Sequence, residues 1–216
     1  MADVRRWEEW RDWAMDGESY DFEELMFLHY RPGAGDIVVD VGAGHGGETF
    51  ALANMVGPNG SVLSIEAAPD TFRRLEQLCR LNDWKQVEAI HAAASDKPGV
   101  VTISDGPEWV AANVFESGVT EVPAVTLDDL CLERGIARID WLKMNIEGAE
   151  KEAIKGMEAI APVIRNVTIS CHDFLGTEWA RSKSEVTSWL IAHGFTVSGR
   201  EYDPRVAAHD YVYAWR

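Results

Sequence analysis

From Asp36 to Trp215, short β-branched runs alternate with stretches whose apolar residues recur at helical spacing. Asp36-Ile37-Val38-Val39-Asp40-Val41 reads as a strand, apolar almost throughout as buried parallel strands are. A glycine turn and a helix from Glu48 to Met55 follow. Ser61 to Glu66 predicts a second strand. Ala68-Pro69-Asp70 opens a helix to about Asn82, with Phe72, Leu75 and Leu78 at helical spacing, and Val87 to Ala92 is a third strand. Val100 to Ser104 predicts an extra strand in a hairpin. Gly106 to Val119, with Trp109 and Phe115, is polar and aperiodic and predicts a surface loop, a place where functional residues often lie. Leu127 to Arg134 predicts a short helix, Ile139 to Met144 strand four, Ala149 to Ile160 a helix and Val163 to Cys171 strand five. Glu185 to His193 is a helix closed by Gly194, and Phe195 to Val197 and Tyr211 to Trp215 are late strands.

Residues 1–32 read as a helical segment ended by Arg31-Pro32-Gly33-Ala34-Gly35. Trp7, Trp10 and Trp13 lie near one face of it, which fits packing on the flank of the sheet, a lid, or a homodimer contact. Strands alternating with helices predict one α/β domain over residues 1–216, with a mostly parallel, doubly wound sheet, helices on both faces and an N-terminal helical extension. Ligands of such sheets sit beyond the carboxyl ends of the strands.

The acidic balance narrows the partners. Lys plus Arg number 20 and Asp plus Glu 36, a formal charge of −16. No basic run exceeds a pair such as Arg73-Arg74. Such a surface repels phosphate backbones, so nucleic acid is not expected as a partner. No apolar run approaches the ~20 residues of a membrane span. Met1 to Trp7 has no apolar stretch that would serve export, and three scattered cysteines, Cys79, Cys131 and Cys171, suit a reducing cytoplasm.

The densest chemical signal is Asp40-Val41-Gly42-Ala43-Gly44-His45-Gly46-Gly47. Gly42, Gly44 and Gly47 match G-x-G-x-x-G between a strand and a helix, where backbone can approach a ligand closely. Dinucleotide and S-adenosylmethionine sites share that pattern. Asp40, two residues before the first glycine, suits the ammonium of a methionine moiety and would repel a pyrophosphate. Glu66, at the end of strand two, can accept from both ribose hydroxyls. Ser95 and Asp96, after strand three, could edge an adenine pocket, with Asp96 accepting from an exocyclic amine. They fit a plain turn equally well.

Four segments in order resemble the FkbM-type family of S-adenosylmethionine-dependent methyltransferases: Val39 to Gly44; Ile65-Glu66-Ala67 with Pro69; Thr126-Leu127-Asp128-Asp129-Leu130; and Leu142-Lys143-Met144-Asn145-Ile146-Glu147-Gly148-Ala149-Glu150. The last is similar to the family's K-x-D-x-E-G-x-E signature, with Asn145 where the pattern has Asp. An amide accepts a hydrogen bond without carrying charge. The resemblance implies a class I Rossmann-like methyltransferase fold, S-adenosyl-L-methionine as cofactor, and methyl transfer, usually to a hydroxyl oxygen. Asp40, Gly42, Ala43, Gly44, Glu66, Ala67, Ser95 and Asp96 are the expected cofactor-binding residues.

Asn145 and Glu147 follow strand four at the rim of the expected cleft, and Glu147 with Glu150 could equally serve the start of the next helix. His172, at the end of strand five, is the expected general base, because an imidazole with a pKa near ~6.5 can take a hydroxyl proton. Asp173 or Glu147 would orient it. Asn145, His172 and Asp173 could also be read as metal ligands, but their mixed donors suit Mg²⁺ poorly and no metal is expected. The competing readings are a NAD-dependent oxidoreductase, which needs the glycine turn and Glu66 but not Asp40, and a catalytically silent nucleotide-binding module, which Asn145 favours.

Overall fold

A computed structural model describes residues 22–103 and 120–216. The tryptophan-bearing helix and the loop with Trp109 and Phe115 lie outside the described residues. Five strands run parallel: β1 (Ile37–Val41), β2 (Ser61–Glu66), β3 (Val87–His91), β7 (Ile139–Met144) and β8 (Ile164–Ser170). β10 (Tyr211–Trp215) inserts antiparallel between β8 and β9 (Thr196–Gly199). The order is β3-β2-β1-β7-β8-β10-β9. This is the expected α/β arrangement, wound outward from β1 and β7.

β7 lies at the middle of the sheet and all six of its residues are buried. Strand side chains alternate between faces, so two cores form. On one face Val39, Val41, Leu142, Met144, Val167 and Ile169 pack together with residues of α4 (Leu127–Glu133), α5 (Glu150–Lys155) and α6 (Lys183–Ala192). On the other, Val38, Val62, Trp141 and Tyr213 meet Leu25 and Met26 of α1 (Phe22–Met26) and Leu52 and Val56 of α2 (Gly47–Val56). α3 (Pro69–Asn82) follows β2.

Three expectations are corrected. The extra strand is present as β5 (Gly99–Ile103), but its antiparallel partner is β6 (Thr120–Val125), which the sequence pattern did not suggest. Pro123 interrupts a run that otherwise alternates, with Val122 and Ala124 buried, and so disguises it. β6 also pairs in parallel with β4 (Ala93–Ala94) to complete a small second sheet. The helix expected to reach Ile160 ends at Lys155, because the chain turns at Gly156. Asp128 then accepts from the Ala159 and Ile160 amides at 3.0 and 2.8 Å, holding residues 157–160 as a turn. Finally, Gly47 is the first residue of α2, and Gly46, with φ +92°, takes the left-handed position just before it.

The Thr126-Leu127-Asp128-Asp129 stretch is therefore structural at both ends. Thr126 Oγ1 accepts from the Asp129 amide at 3.0 Å as the N-cap of α4. Thr126→Ala is expected to lower stability by about 1 kcal/mol, read as a fall in Tm of about 2–4 °C.

Candidate active site

The carboxyl ends of β1, β2, β7 and β8 bring the predicted residues to one edge of the sheet. After β1, the Gly42 and Ala43 amides both donate to Ile65 O, at 2.9 and 3.0 Å, which folds the turn over the end of β2. Gly42 has φ +78°, and a Cβ there would lie 1.9 Å from Asn145 O, so only glycine lets the loops after β1 and β7 touch. Glu66 closes the turn from below. Its Oε2 accepts from Gly44 N at 2.9 Å and its Oε1 from Ala68 N at 2.8 Å. Burial pushes this carboxyl above its usual range, against the two backbone donors. Each oxygen keeps a lone pair, so Glu66 can still accept from a diol. Ala43 is buried. Ser95 Oγ donates to Asp96 Oδ1 at 3.2 Å, just beyond β4.

Asp40 is sealed inside the protein. It is a register partner of Lys143 across β1 and β7, and the two ion-pair at 3.0 Å with both side chains 0% exposed. Thr49 Oγ1 donates to the other carboxylate oxygen at 3.1 Å. The same ammonium donates to Gly42 O at 2.6 Å and to Glu48 Oε2 at 2.8 Å. Burial alone would lower the Lys143 pKa, but Asp40 and Glu48 outweigh it and hold it above the ordinary value. Burial pushes the Glu48 carboxyl up, opposed by Lys143. Neither Lys143 nor Glu48 stood out as a site residue in the sequence.

After β7 the chain turns sharply. Glu147 (φ +54°) and Gly148 (φ +101°) are both left-handed, and a Cβ on Gly148 would lie 2.6 Å from Cζ3 of Trp179. A non-glycine residue held in this conformation carries strain that clusters at functional sites. Asn145 Oδ1 is buried and finds no hydrogen-bond donor among the described residues.

Glu150 organises this turn. Its Oε1 lies 2.9 Å from His172 Nδ1 and accepts from Gly148 N at 3.2 Å, while Oε2 accepts from Ser182 Oγ at 2.9 Å. His172 Nε2 meets Glu147 Oε2 at 3.4 Å. The imidazole is thus clamped between a carboxylate that is 0% exposed and one that is 26% exposed. Burial alone would lower its pKa, but the hydrogen bonds to Glu147 and Glu150 prevail and push it up to about 10. His172 is therefore an imidazolium at neutral pH, whereas the expected base would be neutral. Asp173 does not orient it. Its Oδ1 accepts from the Ser182 and Lys183 amides at 2.7 and 3.0 Å, at the start of α6. Glu150 takes that place, 22 residues from His172 in the chain. Among the described residues no three His, Cys, Asp or Glu side chains form a metal-binding group, and no helix there is long and apolar enough to cross a membrane.

Comparison with known proteins points the same way. The Methyltransferase FkbM domain matches residues 40–197. The chain is 31% identical to the 31-O-demethyl-FK506 methyltransferase FkbM of Streptomyces tacrolimicus, over 86% of this chain and 83% of that one. Its fold is similar to the crystal structure of methyltransferase FkbM from Methylobacillus flagellatus KT, with TM-score 0.63 and 19% identity over 87% of this chain. The chain spans about half of that protein, 45% of its length. Aeropyrum pernix fibrillarin, solved with natively bound S-adenosyl-L-methionine, aligns with TM-score 0.54 and 16% identity over 88% of this chain and 71% of its own.

Proposed function

Since the chain belongs to the FkbM methyltransferase family, we propose that it transfers the methyl group of S-adenosyl-L-methionine to a hydroxyl oxygen of a small molecule or sugar-like acceptor in the cytoplasm. When bound, the cofactor supplies an electrophilic methyl carbon on a sulfonium centre.

The residues at the strand ends fit that group. Gly42 and Gly44 present backbone, Glu66 keeps acceptor capacity for the ribose, and Asn145 Oδ1 is a buried acceptor without a donor among the described residues. The observation that carries the hydroxyl assignment is the pair formed by Glu147 and His172. As the acceptor oxygen bonds to carbon it becomes strongly acidic, and its proton needs a nearby home. Glu147 is the more exposed carboxylate of the clamp. It takes that proton, while His172, whose Nε2 lies 3.4 Å from Glu147 Oε2, positions it as an ion-pair partner. The histidine-as-base expectation becomes a two-residue unit in which the carboxylate accepts. Acidic side chains on both sides of the imidazole favour positive charge growing on the acceptor oxygen. Holding acceptor and methyl in line accounts for much of the remaining acceleration.

S-adenosylhomocysteine is expected to raise the melting temperature and NAD to leave it unchanged. A panel of hydroxylated metabolites incubated with labelled-methyl cofactor is expected to take up label in an alkali-stable ether. A thermal shift with NAD alone would return the chain to the oxidoreductase reading. Cofactor binding without label transfer to any acceptor would leave the silent binding module.

A further inference from the structure

The acidic group nearest the first glycine is already occupied. The Lys143 ammonium donates to Gly42 O at 2.6 Å and to Glu48 Oε2 at 2.8 Å, and Asp40 Oδ1 lies against it as an ion pair at 3.0 Å without hydrogen-bond geometry. These oxygens amount to a ready-made ammonium site, filled by the protein's own lysine. Asp40 faces no solvent, and its second oxygen is taken by Thr49. A ligand's ammonium could reach Asp40 only by displacing a buried cation, which would leave both partners without compensation.

We infer that Glu48, and not Asp40, is the carboxylate that holds the ammonium of the methyl donor's amino-acid tail. Glu48 stands in the first turn of α2, directly after the glycine turn. Its side chain is 22% exposed, against 0% for Asp40. Only Oε2 is engaged, by Lys143, and Oε1 is left for a donor. Of the two carboxylates beside Lys143, Glu48 is the one that solvent reaches. The Lys143 bridge also ties Glu48 to Gly42 O, which fixes the carboxylate beside the turn instead of leaving it to swing on its stem. Asn145, whose backbone carbonyl packs against Gly42, carries a buried Oδ1 without a hydrogen-bond partner among the described residues.

This inference rests on the donor being S-adenosyl-L-methionine, and two ligands separate the claims. S-adenosylhomocysteine carries the amino-acid tail; 5′-methylthioadenosine has the same nucleoside and sulfur without it. Calorimetry with both, on wild type and Glu48→Gln, is the test. Glu48→Gln is expected to weaken S-adenosylhomocysteine about tenfold to hundredfold, the range of a hydrogen bond to a charged group, and to leave 5′-methylthioadenosine unchanged. Glu48→Asp keeps the charge beside Lys143 but withdraws the outer oxygen, and is expected to weaken S-adenosylhomocysteine alone by a smaller factor. Unchanged S-adenosylhomocysteine affinity in both variants overturns the inference, as does equal weakening of both ligands, which would mean that the turn had merely loosened. Failure of wild-type protein to bind either ligand overturns the donor assignment itself.

Discussion

Replacing Lys143 with methionine is expected to lower the unfolding free energy by about 3–5 kcal/mol, the loss typical when one partner of a buried ion pair is removed. Methionine keeps most of the side-chain length but no charge. Asp40, 0% exposed, would then lie in the middle of the sheet with only the Thr49 hydroxyl as donor. Gly42 O would lose its 2.6 Å contact, and Glu48 would be freed from the turn. Urea unfolding is the measurement, with the midpoint falling and the slope preserved. Adding Asp40→Asn is expected to recover part of the loss, since an uncharged amide is less costly to bury alone. A loss below about 1 kcal/mol would mean that water reaches Asp40 and that the pair resembles a surface contact.

Glu147→Gln is expected to reduce kcat by about 10²- to 10⁴-fold, the range associated with a positioned proton acceptor, while the Kd for S-adenosylhomocysteine stays at the wild-type value. The amide keeps the shape of the turn beside His172 Nε2, but it cannot take up a proton. The pH profile of the wild-type enzyme separates the two groups. With Glu147 accepting and His172 held as imidazolium, kcat is level from about pH 7 to 9, because the His172 pKa lies near 10. A neutral His172 acting as the base would instead make kcat climb throughout that interval. The clamp affects stability as well, and the sign follows from a folded-state value raised above that of a free imidazole. Its contribution is complete below pH ~6.5 and disappears as the pH rises through about 10. A kcat that rises tenfold per pH unit from 7 to 9 would restore the proton-accepting role to His172.

The scaffold was legible because its signals are local. β2, β7 and β10 were predicted to the residue, since each is an apolar run bounded by turn residues. β6 was hidden because Pro123 carries a turn signal even though its neighbours alternate as a strand would. The shortened α5 has a similar cause: Met157 and Ile160 keep helical spacing while packing into the core from a turn pinned by Asp128. Electrostatic partnerships were the least legible. Asp40 and Lys143 are neighbours only because β1 and β7 are adjacent, and no local spacing rule links residues on different strands. An acidic residue before a glycine turn looks the same whether it faces a ligand or a lysine. His172 stood out as titratable, but its state is set by Glu147 and Glu150 from another strand end.

The placement of β10 bears on how a nascent chain matures. β9 precedes β10 in the chain, yet among the described residues it pairs with β10, which separates it from β8 in the sheet. The half built from β3, β2, β1, β7 and β8 can assemble while β9 is still a dangling ribbon. During that interval the exposed flank of β8 offers unpaired amides to any passing strand. Pairing with β10 covers that edge of β8 and moves the edge of the sheet out to β9, a strand of four residues.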